Sequence, residues 1–468
     1  MLSYFRINDP YRLLGAFVIL LIISIPRLID YPGLTYPELK SILIGEKVHE
    51  GLNLYDELID STGPLNAWSQ AFIEWIFGRS LLARHILTLF ALFLQAAFLG
   101  IVFSEKKAFS ENTYIPSLIV VILACFSFDM LSLSAELLGS GVLLLALNSM
   151  FREMEFRDRP DSTFKIGFYI SLASLFLFSY AIFLPGAIIF LSIFTRSTWR
   201  KYLLMIIGFL LPHFLLMSIY FINDHLYALW QHYYLPNFSF GGMRQMEIKD
   251  LMFLGIFPIL YLLVSFFILN REARFTKYQS QLVQIMFFWM LFSLIQIFYS
   301  KELRPQSFIT LLPVFAFYMT HFILLIRRRK FAEISIWIFL LGTVAIGYLA
   351  QYGKLESIGY EKLILSDRKG IERIENKSVL LLDDDLSVYK SNKLGSGFLN
   401  WNMSEEIFRE PDTYENVEAV YHSFKKDKPE IILDPKNYMQ AYLKRIPELR
   451  AVYRKTGDGF YELIQNQH

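Results

Sequence analysis

The residues that could carry chemistry sit in a few short stretches of the 468-residue chain. An acidic stretch, 30–82, holds Asp30, Glu38, Glu46, Glu50, Asp56, Glu57 and Asp60. Asp129 and Glu136 flank a short polar turn between two apolar runs. An acid beside apolar helices is costly unless it is paired, solvated or functional, so Glu136 reads either as a working carboxylate or as an interfacial one. Arg84 and Arg304 stand at the edges of apolar runs, where an arginine either meets an anion or snorkels to water. His232-Tyr233-Tyr234 can line a ligand groove or belong to an aromatic interfacial belt. No two histidines have metal-ligand spacing, and His85, His213 and His321, inside apolar runs, read as packing residues. The one cysteine, Cys125, also lies in an apolar run, so a disulfide framework and a cysteine metal site are both excluded. Asp383, Asp384 and Asp385 close an apolar strand and can be cation ligands or a solvated strand end.

The elements that position these residues are set by hydropathy. The chain is 54% hydrophobic, 17% aromatic and only 19% charged, against about 25% charged in ordinary soluble domains. Charge is sparse before residue 350 and dense after it. The net charge of +2 comes with no basic stripe, so nucleic acid is not an expected partner. A bilayer core about 30 Å thick needs roughly 20 apolar residues of helix. Runs that meet or approach this are 13–29, 83–103, 115–131, 133–151, 166–181, 182–195, 202–222, 251–269, 281–299, 306–326 and 332–350. The first lacks a small-residue cleavage site and reads as an uncleaved span. The fold class is therefore an α-helical polytopic membrane protein of about eleven spans, with residues 1–350 in the membrane domain and 351–468 in a soluble one.

Lysine and arginine mark the cytoplasmic side. With the N-terminus inside, the inner loops hold Arg6, Arg12, Lys106, Lys107, Arg152, Arg157, Arg159, Lys165, Arg196, Arg200, Lys201, Arg271, Arg274, Lys277 and the Arg327–Lys330 cluster. The longer outer loops hold far fewer, which places the C-terminal domain outside the cell's plasma (inner) membrane. Outer loop 30–82 contains two short amphipathic helices, 38–50 and 65–77, the second with Trp68 and Trp75, which suit the membrane face. In the tail, Ser378–Leu382, Glu430–Asp434 and Phe460–Ile464 read as strands, and 413–425 and 437–446 as helices, giving a small α/β layer.

An ordered series now becomes informative: Tyr36-Pro-Glu-Leu-Lys40, Gly45 to Gly51, Leu54-Tyr-Asp56, Asp60-Ser-Thr-Gly-Pro-Leu65 and Phe77-Gly-Arg-Ser-Leu-Leu-Ala-Arg84. It resembles the first outer loop of the GT-C superfamily of membrane glycosyltransferases, the class of protein mannosyltransferases and aminoarabinose transferases. Ser132–Leu138, Gly208–Pro212 with Leu235-Pro-Asn237, Arg304 with Leu312-Pro313, Phe398–Trp401 and Gly459–Glu462 fit the same pattern further on.

The resemblance implies transfer of a sugar from a polyprenyl-phosphate lipid to a protein or glycan acceptor of the cell envelope. Such transfer needs a carboxylate to take the acceptor's proton and cations, or a divalent metal ion, to steady the leaving phosphate. Counting back from Gly51 puts the superfamily's Asp-Glu pair on Pro37 and Glu38, and proline cannot act as a base. Glu38 is then the first candidate for the catalytic carboxylate, with Asp56, Asp60 and Glu136 as the others. Arg84 and Arg304 are the candidates for lipid phosphate, and His232 and Tyr233 for the sugar or lipid groove. The proline also leaves a second reading, a non-catalytic scaffold on the same fold that serves an envelope assembly or secretion system. A transporter, the third, would show repeats or paired broken spans, and neither is present.

Overall fold

The computed structural model describes residues 1–155, 160–195, 198–239, 243–355, 358–366 and 374–464. Arg157, Arg159 and Arg196, three of the cations used for orientation, lie outside the described residues. The chain divides into two compact units: Met1–Pro32 with Ser80–Leu216 and Phe240–Leu363, and Gly33–Arg79 with Met217–Ser239 and Ile364–His468.

The first unit is helical and built for lipid. Among the described residues six helices are long and apolar enough to cross a membrane: Arg12–Ile29, Leu81–Glu105, Trp199–Ile222, Lys277–Tyr299, Pro305–Leu325 and Arg329–Gln351. The pair Ile248–Leu254 and Ile256–Glu272, bent by 72°, makes a seventh if it counts as one span. The chain is a multi-pass membrane protein. Of the other expected runs, 115–131 is not one continuous helix. Helix Ile115–Ala124 stops and a 3₁₀ turn, Phe128–Leu131, follows. The stop has a local cause, because side chains take over the backbone and hydroxyl groups there. Arg27 Nη1 donates to the Cys125 carbonyl at 2.8 Å, and Ser127 Oγ accepts the Asp129 N–H at 3.2 Å. Run 133–151 becomes helix Ala135–Glu155, while 166–181 and 182–195 become Pro160–Phe176, a 3₁₀ turn and Phe183–Phe194.

Small residues let these helices close on one another, as expected where lipid supplies no hydrophobic drive between them. A Cβ on Gly167 would stand 1.9 Å from the Met205 carbonyl, and one on Gly208 would stand 2.4 Å from that of Phe164. Helices Pro160–Phe176 and Trp199–Ile222 therefore touch backbone to backbone.

The second unit contains the acidic segment, the 217–239 hairpin and the tail. Helix Tyr36–His49 is not the surface helix expected for 38–50. Ten of its fourteen residues are buried, charged ones included. Burial of charge is tolerated only with partners, and each has one. Glu38 caps its own helix, Glu46 meets Arg79, and Lys47 meets Asp427 at 2.6 Å, while the half-buried Lys40 meets the buried Asp60 at 2.9 Å. Helix Pro64–Phe77 does keep an exposed apolar face, with Phe72 and Trp75 59% and 66% exposed.

The tail carries a five-stranded sheet, β1 (Ser378–Leu381), β2 (Lys393–Leu394), β3 (Ile431–Leu433), β4 (Tyr453–Gly457) and β5 (Phe460–Leu463), in the order β2-β1-β3-β5-β4. β1 pairs in parallel with β2 and β3, and the β4–β5 hairpin adds antiparallel at β3. Helices Tyr414–Lys426 and Met439–Arg445 cover it, joining Leu380, Ile432, Phe424 and Tyr442 in one core. Ile59 enters the same core, and its N–H and C=O bond Gly397 O and Asn400 N–H at 2.9 and 3.2 Å. Gly397 is required there, since a Cβ would stand 1.6 Å from the Glu57 carbonyl.

Candidate functional site

The candidate residues fall into two groups, one in each unit. In the first unit, Arg304 precedes the 3₁₀ turn Pro305–Leu311 and is wholly withdrawn from solvent. Its Nη1 donates to Asp129 Oδ1 at 2.7 Å and to Ser132 Oγ at 3.1 Å. Its Nε donates to Glu136 Oε1 at 3.3 Å, and Nη2 stands 3.0 Å from Glu136 Oε2. The guanidinium fork thus holds two carboxylates at once, the geometry for which arginine is suited and lysine is not. Neighbours lock the arrangement. The Gln306 N–H donates to Asp129 Oδ2 at 2.8 Å, the Gln306 amide donates to the Ser132 carbonyl at 2.8 Å, and Tyr180 donates to the Glu136 carbonyl at 2.8 Å. One cation faces two acids, so the cluster carries an excess negative charge when both are ionised. Arg84 is buried in the first turn of helix Leu81–Glu105, with Thr88 Oγ1 donating to its carbonyl at 3.0 Å.

On the Pro305–Leu311 turn, Phe308 and Leu311, with Leu312 just after it, line an apolar cavity of about 200 Å³ together with Leu123, Phe126 and Pro258. Among the described residues no polar side chain lines it.

In the second unit, Glu38 is the third residue of helix Tyr36–His49 and completes a capping box. Thr35 Oγ1 accepts the Glu38 N–H at 3.4 Å, while Glu38 Oε2 accepts the Thr35 N–H and hydroxyl at 3.2 and 3.1 Å. Asp60 is fully buried. It accepts the Thr62 N–H at 2.7 Å and the Asn400 amide at 3.3 Å, besides the Lys40 ammonium. Asp56 is more open and lies 3.3 Å from His225 Nδ1. Tyr55 stands immediately before Asp56. Tyr55 has φ +75, a left-handed conformation that costs a bulky residue about 1–3 kcal/mol, and is held by its hydroxyl donating to the Thr62 carbonyl at 2.6 Å. His232 Nδ1 donates to the Tyr55 carbonyl, and the ring of Tyr233 packs 5.5 Å from that of Tyr55. Burial pushes the His232 imidazole below its usual pKa, although the Tyr55 carbonyl and Asp56 pull the other way. Burial likewise raises Tyr55 well above its usual value.

Among the described residues no group of three or more His, Cys, Asp or Glu is placed to hold a metal ion. The Asp383–Asp385 run turns inward on its own backbone, accepting the Asp384 and Ser387 N–H groups at 3.0 and 2.9 Å.

Two residues that the sequence pattern does not single out as site candidates are Asp129, the shorter partner of Arg304, and Lys40, the counter-ion of Asp60. For Lys40 no local signal existed, because its partner lies twenty residues on across a loop.

Residues 72–355 match the family described as a family of unknown function, DUF6427. The chain belongs to that family. Solved structures of ArnT from Cupriavidus metallidurans share its fold. The one bound to undecaprenyl phosphate aligns with a TM-score of 0.56 at 12% identity, over 92% of this chain and 94% of that one. The apo structure aligns with a TM-score of 0.54 at 12% identity, over 92% and 95%. Identity this low speaks for the fold alone. No curated protein matches this DUF6427 chain.

Proposed function

We propose that this protein is a GT-C-type glycosyltransferase that moves a sugar from a polyprenyl-phosphate donor to an acceptor on the outer face of the plasma membrane. In this reading the chain crosses the bilayer about eleven times, with the N-terminus in the cytoplasm and the tail outside. The observation that carries the reading is the Pro305–Leu311 turn, which has the Arg304 cluster at its start and the apolar cavity of Phe308, Leu311 and Leu312 further along. Once Glu136 is released or protonated, Arg304 beside an apolar slot suits a phosphate with an isoprenoid tail. A likeness of fold to ArnT, solved with undecaprenyl phosphate, supports the same class of donor.

The chemistry is a substitution at the anomeric carbon. A carboxylate takes the acceptor's O–H proton, the acceptor oxygen bonds to the sugar, and the sugar–phosphate bond breaks to release the polyprenyl phosphate. Glu38 is the proposed base, with Asp56, Asp60 and Glu136 as the other candidate carboxylates. Arg84 and Arg304 are the proposed phosphate partners, and His232 and Tyr233 the groove residues. Arg304 can take a phosphate only by releasing Glu136, which would couple donor entry to a freed carboxylate.

The test is binding of undecaprenyl phosphate to the purified protein by thermal shift and native mass spectrometry. Saturable binding that Arg304→Met and Arg84→Met weaken is the expected result. Binding no tighter than to a phospholipid of equal charge would end the donor assignment. Reporter fusions at 275 and 400 should read inside and outside, and the opposite result would reverse the orientation.

A further inference from the structure

We propose that the groove at the C-terminal end of helix Trp199–Ile222 binds a membrane lipid whose headgroup carries a primary ammonium, as phosphatidylethanolamine does. The inference is independent of the sugar-transfer reading and concerns residues 217–239 alone.

Helix Trp199–Ile222 ends in a tight turn. The Asp224 N–H bonds the Phe221 carbonyl at 3.2 Å, the His225 N–H bonds that of Tyr220 at 2.9 Å, and Asp224 takes φ +60. The chain then runs back as a helix from Leu226 to Phe238. Its middle, Trp230–Tyr234, is a π turn in which the Leu235 N–H reaches the Trp230 carbonyl five residues back. Pro236 explains the widening, since it has no N–H to give to the His232 carbonyl and its ring crowds that turn. The extra residue swings Trp230 and Tyr234 to one side, with ring centroids 5.7 Å apart and planes tilted by 35°. Gln231 fixes Tyr227 by donating to its hydroxyl at 2.7 Å.

The result is a groove of about 570 Å³ lined by Met217, Phe221, Asp224, Tyr227, Trp230 and Tyr234 among others. Its wall is mostly apolar and aromatic, and among the described lining residues Asp224 is the only ionisable acid or base apart from the tyrosines. Among the described residues Asp224 enters no ion pair. Aromatic faces attract cations through their quadrupoles, and a carboxylate beside them selects a cation that can also donate a hydrogen bond. Phe221 is 68% exposed on a helix of membrane-spanning length, so the apolar wall faces acyl chains rather than water. An ammonium headgroup on two acyl chains satisfies each of these surfaces, whereas an anionic headgroup would face Asp224. An aromatic belt alone would account for the rings but not for the lone carboxylate set among them.

The full-length protein would be taken into nanodiscs or mixed micelles holding equal amounts of phosphatidylethanolamine, phosphatidylcholine and phosphatidylglycerol. Native mass spectrometry then reads which lipid stays bound as detergent or collision energy strips the rest. Phosphatidylethanolamine should be retained in preference to both others, and Asp224→Asn should cut that preference by about fivefold. Tyr227→Leu, which keeps the charge and removes a ring, should cut it by about threefold, on the scale of one cation–π contact. Asp224→Glu should keep it. Equal retention of the three lipids, or a preference that Asp224→Asn leaves unchanged with the helical circular dichroism intact, would overturn the proposal.

Discussion

Arg304 Nη1 and Asp129 Oδ1 stand 2.7 Å apart with both side chains shut away from solvent, and Glu136 closes the other side of the same guanidinium. Removing one member of such a cluster exposes the others to desolvation without compensation, at about 3–5 kcal/mol. Arg304→Met should therefore lower the thermal unfolding midpoint in detergent more than either Asp129→Asn or Glu136→Gln. Arg304→Lys should not rescue it, because an ammonium cannot span two carboxylates as a planar fork does. A lysine variant as stable as the parent would show that the fork is dispensable.

The Glu57–Gly397 contact makes a second, sharper test. Gly397→Ala puts a carbon 1.6 Å from the Glu57 carbonyl, closer than any backbone contact allows. The loop carrying Asp56 and Asp60 must then leave the tail, and Ile59 must leave the core it shares with Phe398 and Trp401. Limited proteolysis should cut Gly397→Ala within 51–62 at least about tenfold faster than the parent, while Gly457→Ala, whose Cβ would make only an ordinary 3.5 Å contact with Phe460, leaves the rate unchanged.

Lys40 and Asp60 offer a matched pair. Asp60 is fully buried, so Lys40→Met leaves a carboxylate with hydrogen bonds and no counter-charge. The expected loss is about 2–4 kcal/mol, and Lys40→Met with Asp60→Asn should recover more than half of it. A double variant no better than Lys40→Met would mean that the loss does not come from an uncompensated Asp60 charge.

His232 gives a pH dependence whose sign can be worked out. Burial lowers its pKa in the folded chain, so between that value and the unfolded one near 6.5 the unfolded state binds more protons. Its contribution to stability is present above pH 6.5 and is lost as pH falls toward the folded value. The unfolding midpoint of the parent should drop between pH 7 and 5 more steeply than that of His232→Gln. Parallel curves would show that the histidine titrates alike in both states.

What could be read in advance follows a physical division. Apolar runs such as 83–103 and 332–350 announce membrane helices because lipid demands uninterrupted hydrophobicity, and Ser378–Leu382 announces a buried strand by the same logic. The helix at 36–49 was legible by its spacing, yet its burial was not. Leu39, Ile42 and Leu43 imply one buried face, while Lys47 is buried by Asp427, a partner 380 residues away. Arg304 was singled out for its place beside apolar helices. That it would be spent on Asp129 and Glu136 depends on a turn folding back across more than 160 residues, for which local pattern carries no signal. The π turn at 230–234 had a sequence cause, Pro236, but its effect on ring placement appears only in three dimensions.

The last prediction separates the two roles of Glu38. As the third residue of its helix it completes a capping box with Thr35, and in that position glutamine serves as well as glutamate. Glu38→Gln therefore keeps the cap and the burial while abolishing the ability to take a proton. If Glu38 is the base, transfer from a polyprenyl-phosphate donor should fall by about 10²–10⁴-fold, with the unfolding midpoint within a degree or two of the parent. Glu38→Ala removes the cap as well, at about 0.5–2 kcal/mol, so it should be both inactive and less stable. Pro37→Asp supplies a carboxylate one residue earlier, where the GT-C pattern places its base, and should restore part of the activity to Glu38→Gln. Full activity in Glu38→Gln, together with normal stability, would assign Glu38 to the helix cap alone and move the search for the base to Asp56 and Glu136.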